Sequence, residues 1–380
     1  MIRVYDLSKV SVVLPSLDPD EKLHIVIEGL LEYGFQDIIL VNDGSKPENL
    51  HYFTDAVAAH PEVQLLQHPV NLGKGAALKT AFNWFLENRP DHAGVVTVDG
   101  DNQHHPEDCR NCAAQMLKSQ KLVLGCRDFS LPQVPARSRS GNRITCTVFR
   151  VFCGLRMSDT QTGLRAIPTE ALKILATIKG ERFEYETNML LALPKNDIAW
   201  EEIKIRTVYL EENKSSHFRA VKDSWRIYKL ILAHFFRYTL SSIVSALLDE
   251  GLFALFSFLL HTVLSGFLLT AIPTFTARLI SSLVNFVLNK KLVFHSHGQT
   301  GKALVRYYAL ALPMLLLQCT LTYGSFLLFG IQPEQVVLRA IIYAIVMAML
   351  FVISFSIQQR WVFRTNQKST PKMNEANVHD

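Results

Sequence analysis

From Ile231 to Ile357 the chain is dominated by apolar runs that are too long for strands or ordinary core helices. A bilayer core about 30 Å thick needs about 20 apolar residues of helix to cross it. Four segments reach that length, near Leu240–Leu260, Val263–Asn285, Tyr307–Phe329 and Val336–Ile357. The second is broken by Pro273 and carries Arg278. The C-terminal half is therefore expected to be an all-α domain of four transmembrane helices.

Up to about residue 230 the pattern is different: charges are frequent and apolar segments short. Val10–Leu14, Asp37–Val41, Val63–Gln67 and Val95–Val98 read as buried strands. Helices are expected between them: from Asp18 as N-cap through about Tyr33, from Pro47 to Ala59, and from Gly73 to about Asn88. Strands alternating with helices imply a parallel, doubly wound sheet. In such sheets ligands bind at the carboxyl ends of the strands. Those ends are polar here: Pro15, Asn42-Asp43-Gly44-Ser45, and Asp99-Gly100-Asp101.

Each strand end suggests a chemistry. Asp99, Asp101 and the amide oxygen of Gln103 make an oxygen-rich site suited to Mg²⁺ or Mn²⁺ rather than zinc. A lone D-x-D is more often a solvated turn, so its neighbours decide. Asp43 could accept a hydrogen bond from a nucleobase or ribose. Gly73-Lys74-Gly75 opens a helix, where backbone N–H groups and the lysine charge favour a diphosphate. It is not a P-loop, because the GxxxxGK[ST] spacing is absent.

The six cysteines do not form a disulfide framework. Cys109 and Cys112 form a CxxC on an expected helix with no second ligand pair, so a reduced, packed helix is expected. The net charge of +5 suits a surface near anionic lipid and is too small to argue for nucleic acid. Met1–Lys9 is polar and Val10–Pro15 too short for a signal core, so the first domain is expected in the cytosol.

VVLPS, VNDGS, NLGKGAALKTAF, VDGDNQHHPED, LGCRDF, DTQTGLRAIP and RFEYET follow one another in this order. Over about residues 10–230 the chain thus resembles the family 2 glycosyltransferases of the dolichyl-phosphate mannose synthase type, bacterial polyprenyl-phosphate glycosyltransferases included. The resemblance implies a GT-A (Rossmann-like) α/β catalytic domain, a nucleotide-sugar donor of the UDP-glucose, UDP-GlcNAc or GDP-mannose class, and a polyprenyl phosphate acceptor. It implies that Pro15 and Asp43 line the nucleoside pocket, that Gly73 and Lys74 face the diphosphate, and that Asp99, Asp101 and Gln103 hold Mg²⁺ or Mn²⁺. Two departures are visible. SLDPDEKL stands where many relatives carry an asparagine–glutamate pair, and DGD stands for the commoner DAD.

Arg127, just past the strand Leu122–Leu124, and Arg139 and Arg143 resemble the family's acceptor-phosphate arginines. Arg137 reads as solvated surface. Asp159 and Gln161 lie on a loop that in the family closes the sugar and acceptor site. Asp101, Arg127, Asp159 and Gln161 are the residues assigned to the reaction itself. Glu184-Tyr185-Glu186 reads equally as a salt-bridged helix start or as part of the sugar site. Arg206 and the NKSSHF stretch with Ser216 and His217 correspond to a phosphate-contacting lid. No strong base is needed, because a polyprenyl monophosphate with a second pKa of about 6 is already a nucleophile. Direct displacement would invert the anomeric carbon.

Phe218–Tyr238 interleaves basic and aromatic residues and reads as an amphipathic helix lying in the bilayer interface. Lys290, Lys291, Lys302 and Arg306 follow the second span, and Arg360, Arg364, Lys368 and Lys372 the fourth, which puts both termini in the cytosol. NFVLNKKLVF (285–294) and SFSIQQRWVF (354–363) echo each other, so the spans read as a duplicated hairpin in parallel orientation. This half resembles the GtrA-like membrane domain, a family associated with translocating polyprenyl-phosphate sugars or anchoring the transferase.

The expected organisation is a GT-A domain over 1–217, the interfacial helix over 218–238, the GtrA-like domain over 239–364 and a flexible tail over 365–380. Expected partners are the two substrates, membrane lipid and, in a homo-oligomer, further copies of the chain, without nucleic acid. A lipid-sugar flippase is the alternative for the membrane half. A processive polysaccharide synthase is discounted, because Gln358-Gln359-Arg360-Trp361 lies after the last span.

Overall fold

The computed structural model of the chain describes residues 6–132, 134–206, 220–294, 296, 299–332 and 335–363. It divides into two compact units. The first comprises residues 1–147, 156–228 and 368–380, and the second 148–155 and 229–367.

The first unit is built on a seven-stranded sheet. Its strands are β1 (Val10–Ser16), β2 (Ile38–Asn42), β3 (Val63–Gln67), β4 (Gly94–Thr97), β5 (Leu122–Arg127), β6 (Arg165–Pro168) and β7 (Trp200–Ile205). The spatial order is β3-β2-β1-β4-β6-β5-β7. β1 pairs in parallel with β2 and β4, β2 with β3, and β5 with β7. The first four strands are parallel as expected, while β6, which the sequence reading did not assign, runs antiparallel to both β4 and β5. The connection from β5 passes through a helix (Ala136–Val148) and the DTQTG loop and comes back to the edge at which β5 leaves, so β6 enters from that edge. The sheet is therefore the mixed, Rossmann-like sheet of a GT-A domain.

Helices α1 (Lys22–Glu32), α2 (Leu50–Ala59), α3 (Lys74–Asn88) and α4 (Pro106–Ser119) join the first strands. Val12, Leu14, Ile38, Leu40 and Val96 are wholly removed from solvent against Leu23, Ile27, Phe53 and Cys112. Burying apolar surface at roughly 25 cal/mol per Å² is what holds this layer together. Asp18 does not cap α1 as expected. The helix starts at Lys22, and Asp18 sits at φ 47°, accepting the N–H of Lys46 at 2.8 Å. Its carboxylate thus ties the β1–α1 turn to the β2 turn. Cys109 and Cys112 are free and buried on α4, as expected. Burial pushes both thiols up, which makes them poor nucleophiles. Further along come α5 (Ala136–Val148), α6 (Thr169–Leu175) and α7 (Glu184–Ala192).

The second unit holds α9 (Gly266–Leu288), α10 (Thr300–Leu328) and α11 (Val336–Ile357). They are preceded by α8, which runs unbroken over Ala220–Leu260. The backbone carries no break near 238, so the expected separate interfacial helix is the first part of α8. Among the described residues, three segments, Phe235–Leu260, Thr300–Leu328 and Val337–Val362, are long and apolar enough to cross a membrane. α9 is the fourth helix of the unit and contains Pro273.

A polar seam joins α8 to α9 in steps of four residues. Ser241 donates to Asn289 (2.5 Å), Asn285 donates to Ser245 (3.1 Å), and Ser281 donates to Asp249 (2.8 Å). As one index rises by four the other falls by four, which is the signature of an antiparallel helix pair. Arg278 pairs with Asp249 at 2.9 Å beside this seam. The two echoing segments both end in π-helical turns, Asn289–Val293 and Gln358–Val362. They meet each other: Asn289 donates to Gln358 at 3.2 Å, and Phe294 stacks on Phe363 with centroids 5.0 Å apart. The short segment 148–155 belongs to this unit. The carbonyls of Arg150, Val151 and Phe152 accept from Arg360, Ser356 and Gln359, and Phe152 packs against Phe235.

Candidate active site

Parallel pairing brings the ends of β1, β2 and β4 to one edge, and so Pro15, Asp43 and Asp99 with them. Asp43 is almost wholly buried and already engaged. Its Oδ1 accepts the N–H of Leu72 (3.0 Å) and meets His68 Nδ1 (2.7 Å), and its Oδ2 accepts the N–H of Gly73 (2.8 Å). In this geometry Asp43 shapes the 71–73 loop. Gly73 has φ +107°, and a Cβ there would meet the Glu181 carbonyl at 2.5 Å. Only glycine fits both demands.

α3 begins immediately after Gly73. Two of the amides expected to be free there are occupied, because Gly73 N–H bonds Asp43 and Ala76 N–H bonds the Glu181 carbonyl at 2.8 Å. The main positive group left at this terminus is the Lys74 ammonium. It lies 2.8 Å from Asp99 Oδ1 and 3.1 Å from Glu186 Oε1. Burial alone would lower the Lys74 pKa, but the Asp99 and Glu186 carboxylates outweigh it and raise it. Burial would likewise raise the Asp99 carboxyl, but Lys74 and then His104 hold it well below the usual carboxylate range.

Asp101 follows two residues later, in the same turn. Burial, then the charge of Asp99, pushes its carboxyl up. Its Oδ1 accepts the N–H of Gln103 at 3.1 Å. His104, which the sequence reading passed over, lies with Nε2 3.6 Å from Asp99 Oδ2 and with Nδ1 buried and unpartnered. The signal for it was present in the QHH that follows the aspartates. Among the described residues no three His, Cys, Asp or Glu side chains are already gathered as a metal cluster. The donor chemistry nevertheless fits a hard divalent cation: two carboxylates on one turn, one of them already holding a protein ammonium at 2.8 Å.

A second group forms around Asp159, which is wholly buried. Arg127 donates to its two oxygens at 2.7 and 3.2 Å, and Gln161 N–H donates to Oδ1 at 2.9 Å. Asp159 thus fixes Arg127 at the end of β5 and the DTQTG loop together, while Gln161 is exposed. Gly163 of that loop sits so close to Asp99 Oδ2 that a Cβ would collide with it. Arg165, 2% exposed, reaches from β6 to the carbonyls of Thr162 (3.1 Å) and Glu186 (3.0 Å), joining this loop to α7. The motif LRAIP marked its position without revealing that role.

Arg139 and Arg143 lie exposed on α5, a helix the sequence reading did not assign. Arg139 donates to the carbonyls of Leu131 (3.0 Å) and Val134 (3.3 Å). Arg206 pairs with Glu107 and donates its N–H to Asp108 at 2.9 Å, so it is tied to the start of α4. Ser216 and His217 lie outside the described residues. α7 begins at Glu184, so Glu184-Tyr185-Glu186 is a helix start, and Glu186 is also a site residue through Lys74.

Residues 11–174 match the family described as Glycosyl transferase family 2, and residues 237–363 match GtrA/DPMS, transmembrane domain. An uncharacterised protein of Methanocaldococcus jannaschii is 27% identical over 240 residues, covering 62% of this chain and 96% of that one. A UDP-N-acetylglucosamine–dolichyl-phosphate N-acetylglucosaminyltransferase of Methanococcus voltae is 26% identical over 216 residues, covering 52% of this chain and 85% of that one. Among solved structures, glucosyl-3-phosphoglycerate synthase from Mycobacterium tuberculosis with Mn²⁺, UDP and phosphoglyceric acid has 15% identity and a TM-score of 0.46, covering 59% and 77% of the two chains. Motifs, sheet and matched family models agree: residues 11–174 are a glycosyl transferase family 2 domain and residues 237–363 a GtrA/DPMS transmembrane domain.

Proposed function

We propose that this chain moves one sugar from a nucleotide-sugar to polyprenyl phosphate at the cytosolic leaflet, with inversion and with Mg²⁺ or Mn²⁺. The observation that carries the reading is Lys74, held 2.8 Å from Asp99 at the edge where β1, β2 and β4 end. That edge joins a diphosphate-binding cation to a carboxylate pair, as departure of a nucleoside diphosphate requires. The dolichyl-phosphate acceptor of the Methanococcus voltae relative supports the choice of acceptor.

Pro15 and the loop shaped by Asp43 would receive the nucleoside. Lys74 would neutralise the leaving diphosphate. A divalent cation bound by Asp99 and Asp101, with Gln103, would supply further neutralisation there. Arg127, oriented by Asp159, and the exposed Arg139 and Arg143 would hold the acceptor phosphate in line behind the anomeric carbon. Gln161 would lie over the sugar. Because the acceptor is already anionic near neutral pH, none of these residues has to act as a strong base.

The basic residues Lys290, Lys291 and Arg360 at the ends of α9 and α11 support a cytosolic placing of those ends. One observation favours a transport role for the membrane half as a second reading. The seam from Asn289 through Asn285 to Asp249 lines the helix pair with polar groups, which a purely anchoring hairpin does not need.

The test is a donor panel. The full-length protein is incubated with polyprenyl phosphate, Mn²⁺ and each of UDP-glucose, UDP-GlcNAc, UDP-galactose and GDP-mannose, and lipid products are weighed by mass spectrometry. Lipid phosphate plus a single sugar mass, lost on chelation, is the expected result. A chain of several sugars on one acceptor would sink the single-transfer reading.

A further inference from the structure

We infer that Lys74 is a lock on the cation site: its ammonium takes a cation's place on Asp99 until a nucleoside diphosphate draws it away. Metal and nucleotide would then bind strongly only together. The inference rests on the donor-site reading above and adds an order to its assembly.

The backbone on both sides of the contact is fixed. Gly73 N–H is held by Asp43 at 2.8 Å, and Ala76 N–H by the Glu181 carbonyl at 2.8 Å. Gly75 packs so closely on α7 that a Cβ would lie 2.5 Å from Tyr185 Cβ. The Cα of Lys74 therefore has nowhere to go. Asp99 is confined as well, with Gly163 pressed against Oδ2 on one side and His104 Nε2 3.6 Å from the same oxygen. The remaining freedom is in the lysine's own rotatable side chain. With the ammonium 2.8 Å from Oδ1, a divalent cation approaching that oxygen meets a positive charge at van der Waals range.

Two features make the lock reversible. First, Glu186 holds the same ammonium at 3.1 Å, so Lys74 is shared between two carboxylates rather than committed to Asp99. Second, the lysine stem is flexible and its ammonium has three donors, so the charge can swing to phosphate oxygens without movement of α3. A diphosphate brings the negative charge that Lys74 can accept in exchange. Once Lys74 leaves, Asp99 and Asp101 present two carboxylates to a cation. Without the diphosphate, Lys74 holds Asp99 in position through the 2.8 Å contact. Coupling of this kind is reciprocal: the factor by which nucleotide tightens metal is the factor by which metal tightens nucleotide.

The experiment measures Mn²⁺ binding by electron paramagnetic resonance on full-length protein in detergent, with and without saturating UDP or GDP and without sugar or acceptor. In the wild type, nucleotide-free Mn²⁺ binding is expected to be weak and to tighten at least about tenfold with nucleotide. Lys74→Met keeps the stem and removes the charge, so its nucleotide-free Mn²⁺ affinity should rise at least about tenfold. Lys79→Met, one to two turns along α3 with its ammonium over the Tyr185 ring, removes an equal charge that does not touch Asp99 and should change Mn²⁺ affinity less than twofold. Lys74→Gln serves if the methionine variant does not fold.

Equal nucleotide-free affinity in wild type and the Lys74 variants would overturn the lock while leaving the transferase reading intact. An equal gain in Lys79→Met would also overturn it, by reducing the effect to net charge. No Mn²⁺ binding to any form, with nucleotide shown to bind by calorimetry, would overturn the metal-dependent reading and the lock with it.

Discussion

Asp43 Oδ2 accepts the backbone N–H of Gly73 at 2.8 Å, across thirty residues of chain. Together with the bond from Leu72 N–H to Oδ1, this lets one carboxylate at the end of β2 set the entry to α3. Replacing Asp43 by alanine strands two loop amides and His68 Nδ1, and each unsatisfied buried donor costs about 1–3 kcal/mol. Because Leu72 is exposed, its amide can bond water instead, and Asp43→Ala is expected to lower stability by about 2–4 kcal/mol. Because the loop carries Lys74, the KM for the nucleotide-sugar should rise more than that for the acceptor. Thermal unfolding and donor titration check both. An unchanged donor KM would return Asp43 to a purely structural part.

Arg127 and Asp159 make a two-point ion pair in which the acid is wholly buried and the arginine side chain is 25% exposed. Removing one partner of a fully buried pair costs about 3–5 kcal/mol. The partial exposure of Arg127 reduces that figure, so Arg127→Met should cost about 2–3 kcal/mol. Asp159→Asn should cost less, because its amide oxygen still accepts Gln161 N–H. Both should raise the KM for polyprenyl phosphate. Chemical denaturation of the two variants under one set of conditions gives the order, and a costlier Asp159→Asn would contradict this account.

Much of the first unit was legible because its strands are short apolar runs closed by turn residues. Val63–Gln67 and the end of α3 at Asn88 fall where the periodicity puts them. β6 was missed because Arg165-Ala-Ile-Pro is four residues long and looks like the lead into a helix. Its antiparallel direction depends on a loop, which hydrophobic pattern does not record. Asp18 reads as an N-cap from local sequence, but its carboxylate bonds Lys46 and Asn49, and that partnership is visible only after β1 and β2 pair. Lys74 was legible as a cation at a helix start. Its contact with Glu186, more than a hundred residues away, was not. In the membrane half the echo between 285–294 and 354–363 marked a repeat, but that Asn289 pairs with Gln358 emerges only once the helices are in place.

Asp101 carries a proton more readily in the folded chain than in an unfolded one, because burial and the charge of Asp99 raise its carboxyl. The sign follows: its contribution to stability is fully present at low pH and is lost as pH rises through the raised value. At neutral pH the ionised group is a cost, which a bound cation would offset. Asp101→Asn should thus raise the unfolding temperature of the metal-free protein while lowering transfer at least about 100-fold. Mn²⁺ should stabilise the wild type against heat and leave the variant unmoved. Acid should also weaken Mn²⁺ binding at a higher pH than an ordinary carboxylate would set. A variant that melts lower than wild type in EDTA would contradict the reading of Asp101 as strained.

Asn289 is the junction of the membrane unit. It accepts from Ser241 (2.5 Å) and donates to Asn285 (2.8 Å) and to Gln358 (3.2 Å), and no part of it is exposed. Gln358 in turn donates to Tyr238 at 3.0 Å, so α8, α9 and α11 meet in one network. Hydrogen bonds between membrane helices average about 0.6 kcal/mol each and reach about 1.7. Asn289→Leu breaks two of them and a third within its own helical segment, and leaves Gln358 short of a partner, so a loss of about 2 kcal/mol is expected. Gln358→Leu should cost about as much. The double variant should cost less than the sum, because the second change removes the group the first left unsatisfied. Unfolding in mixed detergent micelles, followed for the four forms of the cycle, measures the coupling. Additive losses would mean that the two echoing segments are neighbours without being partners, and that the stacked Phe294 and Phe363 hold the repeats together instead.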